Sequence, residues 1–306
     1  MRIIFAGTPV NAAKTLEALL AANHDVVGVL TRIDAPTGRS GALTESPVAI
    51  VAMTHNLPLL KSNVPDKEVG DWIAALKPDL GIIVAYGSIL KTKILEIPAK
   101  GWLNVHYSML PKYPGASPVQ QAILEGESTT GVTVFQLDEG VDSGPVLSQA
   151  LVDLEPDATS GSALELLTVV GSKLLIDTLD SLDTYLEAKT FQDTNITYPL
   201  THKITRALAR IEFDKPAIQI VNLVRAMNPE PVAWFEFESQ PIRVLVAAIS
   251  ETPSLSTGVA VLADGELIVG SADKAVTLLT VQPAGKKPMP GADWFRGLRR
   301  DSLSLT

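Results

Sequence analysis

Along the first 190 residues, short apolar runs alternate with stretches whose apolar positions recur every three or four residues. That is the pattern of strands alternating with helices in an α/β domain. Residues 2–6 read as a strand, 11–22 carry leucine and alanine at helical spacing, and 25–30 return to a valine-rich strand. Further on, 67–76 read as a helix, 80–85 as a strand, and 118–126 as a helix holding Gln120 and Gln121. A long apolar period over 160–189 predicts a helix that closes the domain. Residues 191–201 are polar, contain Tyr198-Pro199 and keep no period, so they read as a linker. Beyond them, 203–211 and 217–227 predict short helices, and 242–249, 258–262, 267–271 and 276–281 are short strand-like runs separated by turn residues. Such a series implies a small antiparallel barrel. The chain thus divides into a domain at 1–189, a linker at 190–201 and a second domain at 202–306.

A length of 306 residues agrees with two domains, since single cores stop growing at roughly 250 to 300 residues. No uninterrupted apolar run reaches membrane-spanning length, so no membrane partner is expected. Residues 1–6 form a short strand before the turn Gly7-Thr8-Pro9 and not a signal-peptide pattern, which fits a cytoplasmic location. The absence of cysteine excludes disulfides, thiolate metal sites and cysteine nucleophiles. His24, His55, His106 and His202 are too scattered to predict a metal site by spacing. The turn Gly7-Thr8-Pro9 follows a strand and precedes a helix, but it has one glycine where a dinucleotide fingerprint needs three, so an NAD site is not expected.

The candidate chemistry lies in the middle of the first domain. Gly101-Trp102-Leu103-Asn104-Val105-His106 reads as the end of a buried strand, where residues two apart share a face, so Asn104 and His106 point the same way. A side-chain amide donates to a developing oxyanion, and imidazole donates to the same oxygen or relays a proton. A third group is needed to orient the histidine. Asp142 is the candidate, because it lies in the glycine-rich acidic turn Asp138-Glu139-Gly140-Val141-Asp142-Ser143-Gly144, directly after the strand at 131–137. Taken alone, Asn-x-His is more often a hydrogen-bonded pair at a strand end, and the acidic turn equally reads as a solvated loop. The turn lacks the alternating oxygen ligands of a calcium site.

The run Asn104-Val105-His106-Tyr107-Ser108-Met109-Leu110-Pro111, followed by Gly115, resembles the signature Asn-x-His-x-Ser-Leu-Leu-Pro of folate-dependent formyltransferases. The turn through Asp142 resembles the same family's acidic loop, and Met109 stands where leucine is usual, a swap of similar volume. The resemblance implies a Rossmann-like, mostly parallel formyltransferase domain followed by an oligonucleotide-binding-like barrel. It implies Asn104, His106 and Asp142 as catalytic residues. It further implies 10-formyltetrahydrofolate as co-substrate, held by Ala85, Tyr86 and Gly87 and by Ser108, Met109, Leu110 and Pro111, with no metal. Matches at Arg225-Ala226-Met227-Asn228-Pro229, Pro231-Val232-Ala233-Trp234 and Gln282-Pro283-Ala284-Gly285-Lys286-Lys287 extend it nearly to the C-terminus. They point to the branch that formylates methionyl initiator tRNA. The alternatives within the same chemistry are amino-sugar N-formylation and hydrolysis of the formyl-folate; no obligate protein partner is implied.

Net charge is −9, unfavourable for holding a polyanion. The imbalance is uneven: 12 Lys and Arg stand against 11 Asp and Glu from residue 201 on, leaving 13 against 23 before it. The near-neutral second part carries Lys203, Arg206 and Arg210, then Lys286 and Lys287, which the resemblance assigns to tRNA contact together with Arg39. Two departures from the family follow. The loop at 34–47, where several basic residues are usual, keeps only Arg39 and adds Glu45, which predicts weaker tRNA binding with a shallower salt dependence. Asn11 stands where the family usually has an aromatic residue, and this changes how an apolar methionine side chain is held.

Overall fold

In order, the elements of the first part are β1 (Arg2–Gly7), α1 (Val10–Ala21), β2 (Asp25–Thr31), β3 (Ala35–Thr37), β4 (Ala42–Thr44), α2 (Pro47–Thr54), β5 (Leu59–Lys61) and α3 (Lys67–Leu76). There follow β6 (Leu80–Val84), α4 (Thr92–Leu95), β7 (Trp102–His106), α5 (Pro118–Leu124), β8 (Thr129–Gln136), β9 (Val146–Asp153), α6 (Ser160–Asp180) and α7 (Leu182–Ala188). The computed structural model describes residues 1–37, 41–193, 195–252 and 255–305. The chain forms two compact units: Met1–Gly115 with Thr129–Asp153 and Leu164–Leu200, and Ala116–Ser128 with Leu154–Ala163 and the chain from Thr201 on.

The first unit is built on a seven-stranded sheet of order β5-β2-β1-β6-β7-β8-β9. Its first five strands are parallel, and β8 and β9 are antiparallel to their neighbours. β1 and β6 are buried almost throughout, as parallel strands covered on both faces must be, which is why both read as continuous apolar runs. The strand order reverses between β1 and β6, so their carboxyl ends diverge into the crevice where open α/β sheets bind ligands. One face packs Ile4, Ala6, Leu30, Ile73 and Trp102 into a core cluster. Trp102 lies so close over Gly81 that an added Cβ there would meet its ring at 2.1 Å, so a side chain at 81 would displace it. α3 begins because Asp66 accepts from the N–H groups of Glu68 and Val69, and it turns Val69 and Ile73 inward. The period over 160–189 resolves into α6 and α7, separated at Ser181, whose backbone leaves the helical region at φ −129° and ψ 34°.

The second unit contains α8 (Ala217–Ala226), β10 (Ala233–Phe237), β11 (Gln240–Ser250), β12 (Val259–Ala263), β13 (Glu266–Gly270), β14 (Ala275–Pro283), β15 (Met289–Pro290), α9 (Gly291–Gly297) and β16 (Ser302–Ser304). Its sheet is antiparallel, of order β10-β11-β14-β13-β12-β16, with β15 paired to β14. Among the described residues the path ends at β10 and β16, a half-barrel that curves without closing. Phe235, Val244 and Val281 are wholly buried on its inner face, and Phe213, Phe235, Trp294 and Phe237 meet edge to face in sequence. The helix expected at 203–211 is not formed. Its backbone groups pair with a strand instead: Ile211 N–H donates to the Trp234 carbonyl at 2.7 Å, and Trp234 N–H to the Ala209 carbonyl at 2.9 Å. Arg206 to Ala209 form a turn leading into that pairing. No helix among the described residues is long and apolar enough to cross a membrane.

Candidate active site

β7 delivers the two strand-end groups. Asn104 lies opposite Ile83 of β6 and Phe135 of β8, and His106 lies opposite Thr133, so strand alternation puts both side chains on one face. Asn104 is half-buried and its amide makes no hydrogen bond among the described residues. His106 is buried, 6% exposed, with its ring edge-on to Phe135. Its Nε2 is 2.9 Å from the Tyr113 carbonyl oxygen, which accepts only from a protonated nitrogen. That bond sets the tautomer and leaves Nδ1 as the nitrogen turned toward Asp142, at 3.6 Å from its Oδ2.

Asp142 reaches the strand end because the loop after β8 turns sharply. Asp142 itself has φ 52°, and Asp138 Oδ1 accepts from Gly140 N–H and the Ser143 hydroxyl, each at 2.9 Å. Gly144 packs against the end of β8, where a Cβ would fall 1.9 Å from the Gln136 carbonyl oxygen. Asp142 Oδ2 also accepts from Gly115 N–H at 2.7 Å. The carboxylate therefore has two partners of different kinds, a fixed backbone donor and a titratable ring.

The expected folate residues occupy two different settings. Ala85, Tyr86 and Gly87 form the turn directly after β6, with φ of 47° at Ala85 and 89° at Gly87. The Thr8 hydroxyl donates to the Tyr86 carbonyl at 2.8 Å, tying the end of β1 to this turn. The Tyr86 ring is in the core and its hydroxyl donates to the Ser62 carbonyl at 2.7 Å, so the turn can offer a ligand backbone and not that ring. Burial pushes the Tyr86 phenol up to about 12. Ser108 is wholly buried, its hydroxyl donating to the Lys112 carbonyl at 2.6 Å, while Met109 packs on Gly131 of β8. Leu110 N–H donates to Thr133 Oγ1, and the Leu110–Pro111 peptide bond is cis. Leu110 and Pro111 line a cavity of about 380 Å³ together with Gln149, Phe191 and Gln192.

Arg39 lies outside the described residues. Lys203, Arg206, Lys286 and Lys287 are all exposed in the second unit. The Arg206 guanidinium stacks on the Trp234 ring at 5.2 Å, and that of Arg210 lies 5.9 Å from the same ring. Trp234 is paired with Arg243, and Arg243 with Gln282, so the three side chains share the outer face of the sheet. Gln282 Nε2 in turn donates to the Lys286 carbonyl at 3.0 Å. Strand pairing thus sets Trp234, Arg243 and Gln282 along one cross-strand row that leads to the Lys286 turn, with Arg206 and Arg210 against the Trp234 ring. Among the described residues no cluster of His, Asp or Glu is placed to hold a metal ion.

Sequence reasoning gave no role to Tyr113, to Gly115, which it used only as part of the signature, to Gln192 or to Arg243. The first two act through backbone atoms, which side-chain identity does not mark; Arg243 is an isolated charge in a strand whose importance depends on its cross-strand neighbours.

Residues 1–179 match the family model for formyl transferase, and residues 203–299 match that for the formyl transferase C-terminal domain. The chain is 40% identical over 310 residues to the methionyl-tRNA formyltransferase of Chloroflexus aggregans, with 100% of both chains covered. It is 42% identical over 299 residues to that of Renibacterium salmoninarum, covering 97% of each. Among solved structures it resembles the N-formyltransferase of Helicobacter canadensis in complex with folinic acid and dTDP-3-aminofucose. That likeness has a TM-score of 0.67 at 18% identity, covers 92% of this chain and 98% of the other, and is one of fold.

Proposed function

Because the chain belongs to the methionyl-tRNA formyltransferases, we propose that it moves the formyl group of 10-formyltetrahydrofolate onto the free α-amine of methionyl initiator tRNA, with Asn104, His106 and Asp142 as catalytic residues. The observation that carries the assignment is the meeting of an uncommitted amide, an oriented imidazole and a partly buried carboxylate at the end of β7. Formyl transfer between nitrogens needs these three functions: a donor for the oxygen that becomes negative, a proton carrier, and a group that stabilises the carrier when charged.

The neutral amine attacks the formyl carbon, forming the new C–N bond as the carbonyl electrons move to oxygen. Asn104 donates to that oxygen, its amide being free to do so. His106, with Nε2 committed to the Tyr113 carbonyl, takes up the amine proton at Nδ1, and Asp142 stabilises the resulting imidazolium. The proton then passes to the departing folate nitrogen as the oxyanion collapses and the old C–N bond breaks. No covalent enzyme intermediate is required. The left-handed turn at Ala85 to Gly87 and the apolar surface of Met109, Leu110 and Pro111 suit a folate co-substrate at this edge, the first by backbone groups and the second by contact.

The formyl-transfer chemistry is assigned to residues 1–189, tRNA contact to 202–306, with 190–201 as linker. Arg206, Arg210, Arg243, Lys203, Lys286 and Lys287 supply positive charge on the second unit, where guanidinium groups stacked on Trp234 present donors for phosphate oxygens. Arg39 is proposed to contact the tRNA from the first domain. The test is to mix purified protein with formyl-labelled 10-formyltetrahydrofolate and methionyl initiator tRNA, in the presence of glycinamide ribonucleotide and nucleotide-linked amino sugars. Label is expected on methionyl-tRNA alone. Absence of labelled formylmethionine, or label on the amino sugars, overturns the assignment.

A further inference from the structure

We propose that Gln192 is a positioning residue for the catalytic carboxylate, a role that makes the start of the interdomain linker part of the site. The inference rests on the reading of Asp142 as catalytic. Gln192 Nε2 donates to the Asp142 carbonyl oxygen and to the Gly144 carbonyl oxygen, each at 2.8 Å. Both partners are acceptors, so the nitrogen of the side-chain amide must face them, and its two hydrogens serve one carbonyl each.

The loop needs such a hold. Asp142 has a left-handed backbone at φ 52°, and the only bonds described within the turn are those to Asp138. From the far side its carboxylate is held by Gly115 N–H, but the 3.6 Å to His106 Nδ1 is longer than a hydrogen bond. A small displacement of Asp142 therefore decides whether that gap closes when the ring is charged. Gln192 restrains the loop's backbone at the Asp142 and Gly144 carbonyls.

Gln192 is itself on a fixed base. Thr190 and Val146 exchange both backbone hydrogen bonds, at 2.8 and 2.9 Å, and Lys189 Nζ donates to Gln136 Oε1 at 2.8 Å. The segment after α7 is thus laid along the edge of β9, and the Gln192 side chain, a primary amide with two neutral N–H donors, reaches the catalytic loop. A glutamate there has only acceptors and faces two carbonyls. A methionine keeps the length and gives no donor.

The experiment compares Gln192→Met, Gln192→Glu, Asp142→Asn and the double variant Asp142→Asn/Gln192→Met. For each, kcat and KM are measured for 10-formyltetrahydrofolate and methionyl-tRNA, together with the thermal midpoint. A loosened carboxylate lowers kcat by about tenfold in Gln192→Met, and by more in Gln192→Glu. KM for both substrates should stay within about twofold, because both amide hydrogens of Gln192 are committed to the Asp142 and Gly144 carbonyls and not to a substrate. On the Asp142→Asn background the methionine substitution should change kcat by less than about twofold, since a residue acting through a side chain has nothing left to act on. Wild-type kcat in both Gln192 variants overturns the proposal, as does a full tenfold loss on the Asp142→Asn background. Wild-type turnover in Asp142→Asn alone overturns the catalytic reading of Asp142 instead.

Discussion

Replacing Tyr107 by phenylalanine removes one oxygen from a buried polar network, and the geometry sets what that costs. Tyr107 follows His106 just past the end of β7 and points to the opposite face, where Asn11 Nδ2 donates to its hydroxyl oxygen at 3.2 Å. Asn11 is 8% exposed and Tyr107 7%, so water cannot replace the lost partner. Around them the Thr15 hydroxyl lies 3.0 Å from both the Asn11 carbonyl and the Ser172 hydroxyl. Burial pushes the Tyr107 phenol up, while Asn11, Thr168 and Thr15 pull it back. The ring stays in place in the variant, so no cavity term enters. The loss is that of an amide left without its acceptor, about 1 to 3 kcal/mol. We expect about 2 kcal/mol, read as a lowered urea midpoint at pH 7 with an unchanged slope. In Asn11→Leu/Tyr107→Phe both partners are apolar, and the double variant should be more stable than the sum of the single losses by about 1 kcal/mol. A loss below about 0.5 kcal/mol in Tyr107→Phe, or strictly additive losses, refutes the network as the reason for asparagine at position 11.

Asn104→Ala should lower kcat about a hundredfold, with KM for 10-formyltetrahydrofolate retained, in a formylation assay; equal loss of folate affinity with unchanged turnover contradicts the oxyanion role. Asp273 accepts from Ala217 N–H at the start of α8, and this bond, with those from Ser271 and Lys274, holds its carboxyl below the usual range. A depressed carboxylate stabilises the fold above its unfolded value near 4 and loses that contribution as pH falls through its folded value. Asp273→Asn should therefore flatten the fall in thermal midpoint that the parent shows as pH drops below about 4. Arg243→Ala should weaken tRNA binding and reduce the slope of log affinity against log salt by about 1, measured by filter binding; an unchanged slope removes Arg243 from the phosphate-contacting face.

The unexpected asparagine at position 11 shows how the sequence and the structure divide the explanation. Local pattern identifies position 11 as inside a helix, and the resemblance marks it as a departure, but only packing shows that the aromatic ring on this face comes from Tyr107 and that Asn11 bonds it. The same division holds for the linker. A polar, aperiodic stretch is legible from composition, whereas the reach of Gln192 to carbonyls 48 and 50 residues earlier depends on how the chain comes back along β9. The helix expected at 203–211 fails for a related reason: a sequence window contains no information about the strand at Trp234 that takes its backbone hydrogen bonds.

By itself, the sequence determined several strands and helices of the first domain, though not β3, β4, α2, β5, α4 or β9, four of the short strands of the second, and the shared face of Asn104 and His106. Each follows from periods of two or 3.6 residues along a single segment. It also determined the chemistry available, since an amide, an imidazole and a carboxylate are side-chain identities. Tertiary structure decided how they are aimed: the Tyr113 carbonyl that selects the His106 tautomer, the Gly115 N–H and the Gln192 amide that hold the Asp142 loop, and the row from Trp234 through Arg243 to Gln282. Most of these partners are backbone groups, which nearly every residue carries, or side chains joined by strand register. Which of them meet depends on long-range chain paths that no local pattern encodes.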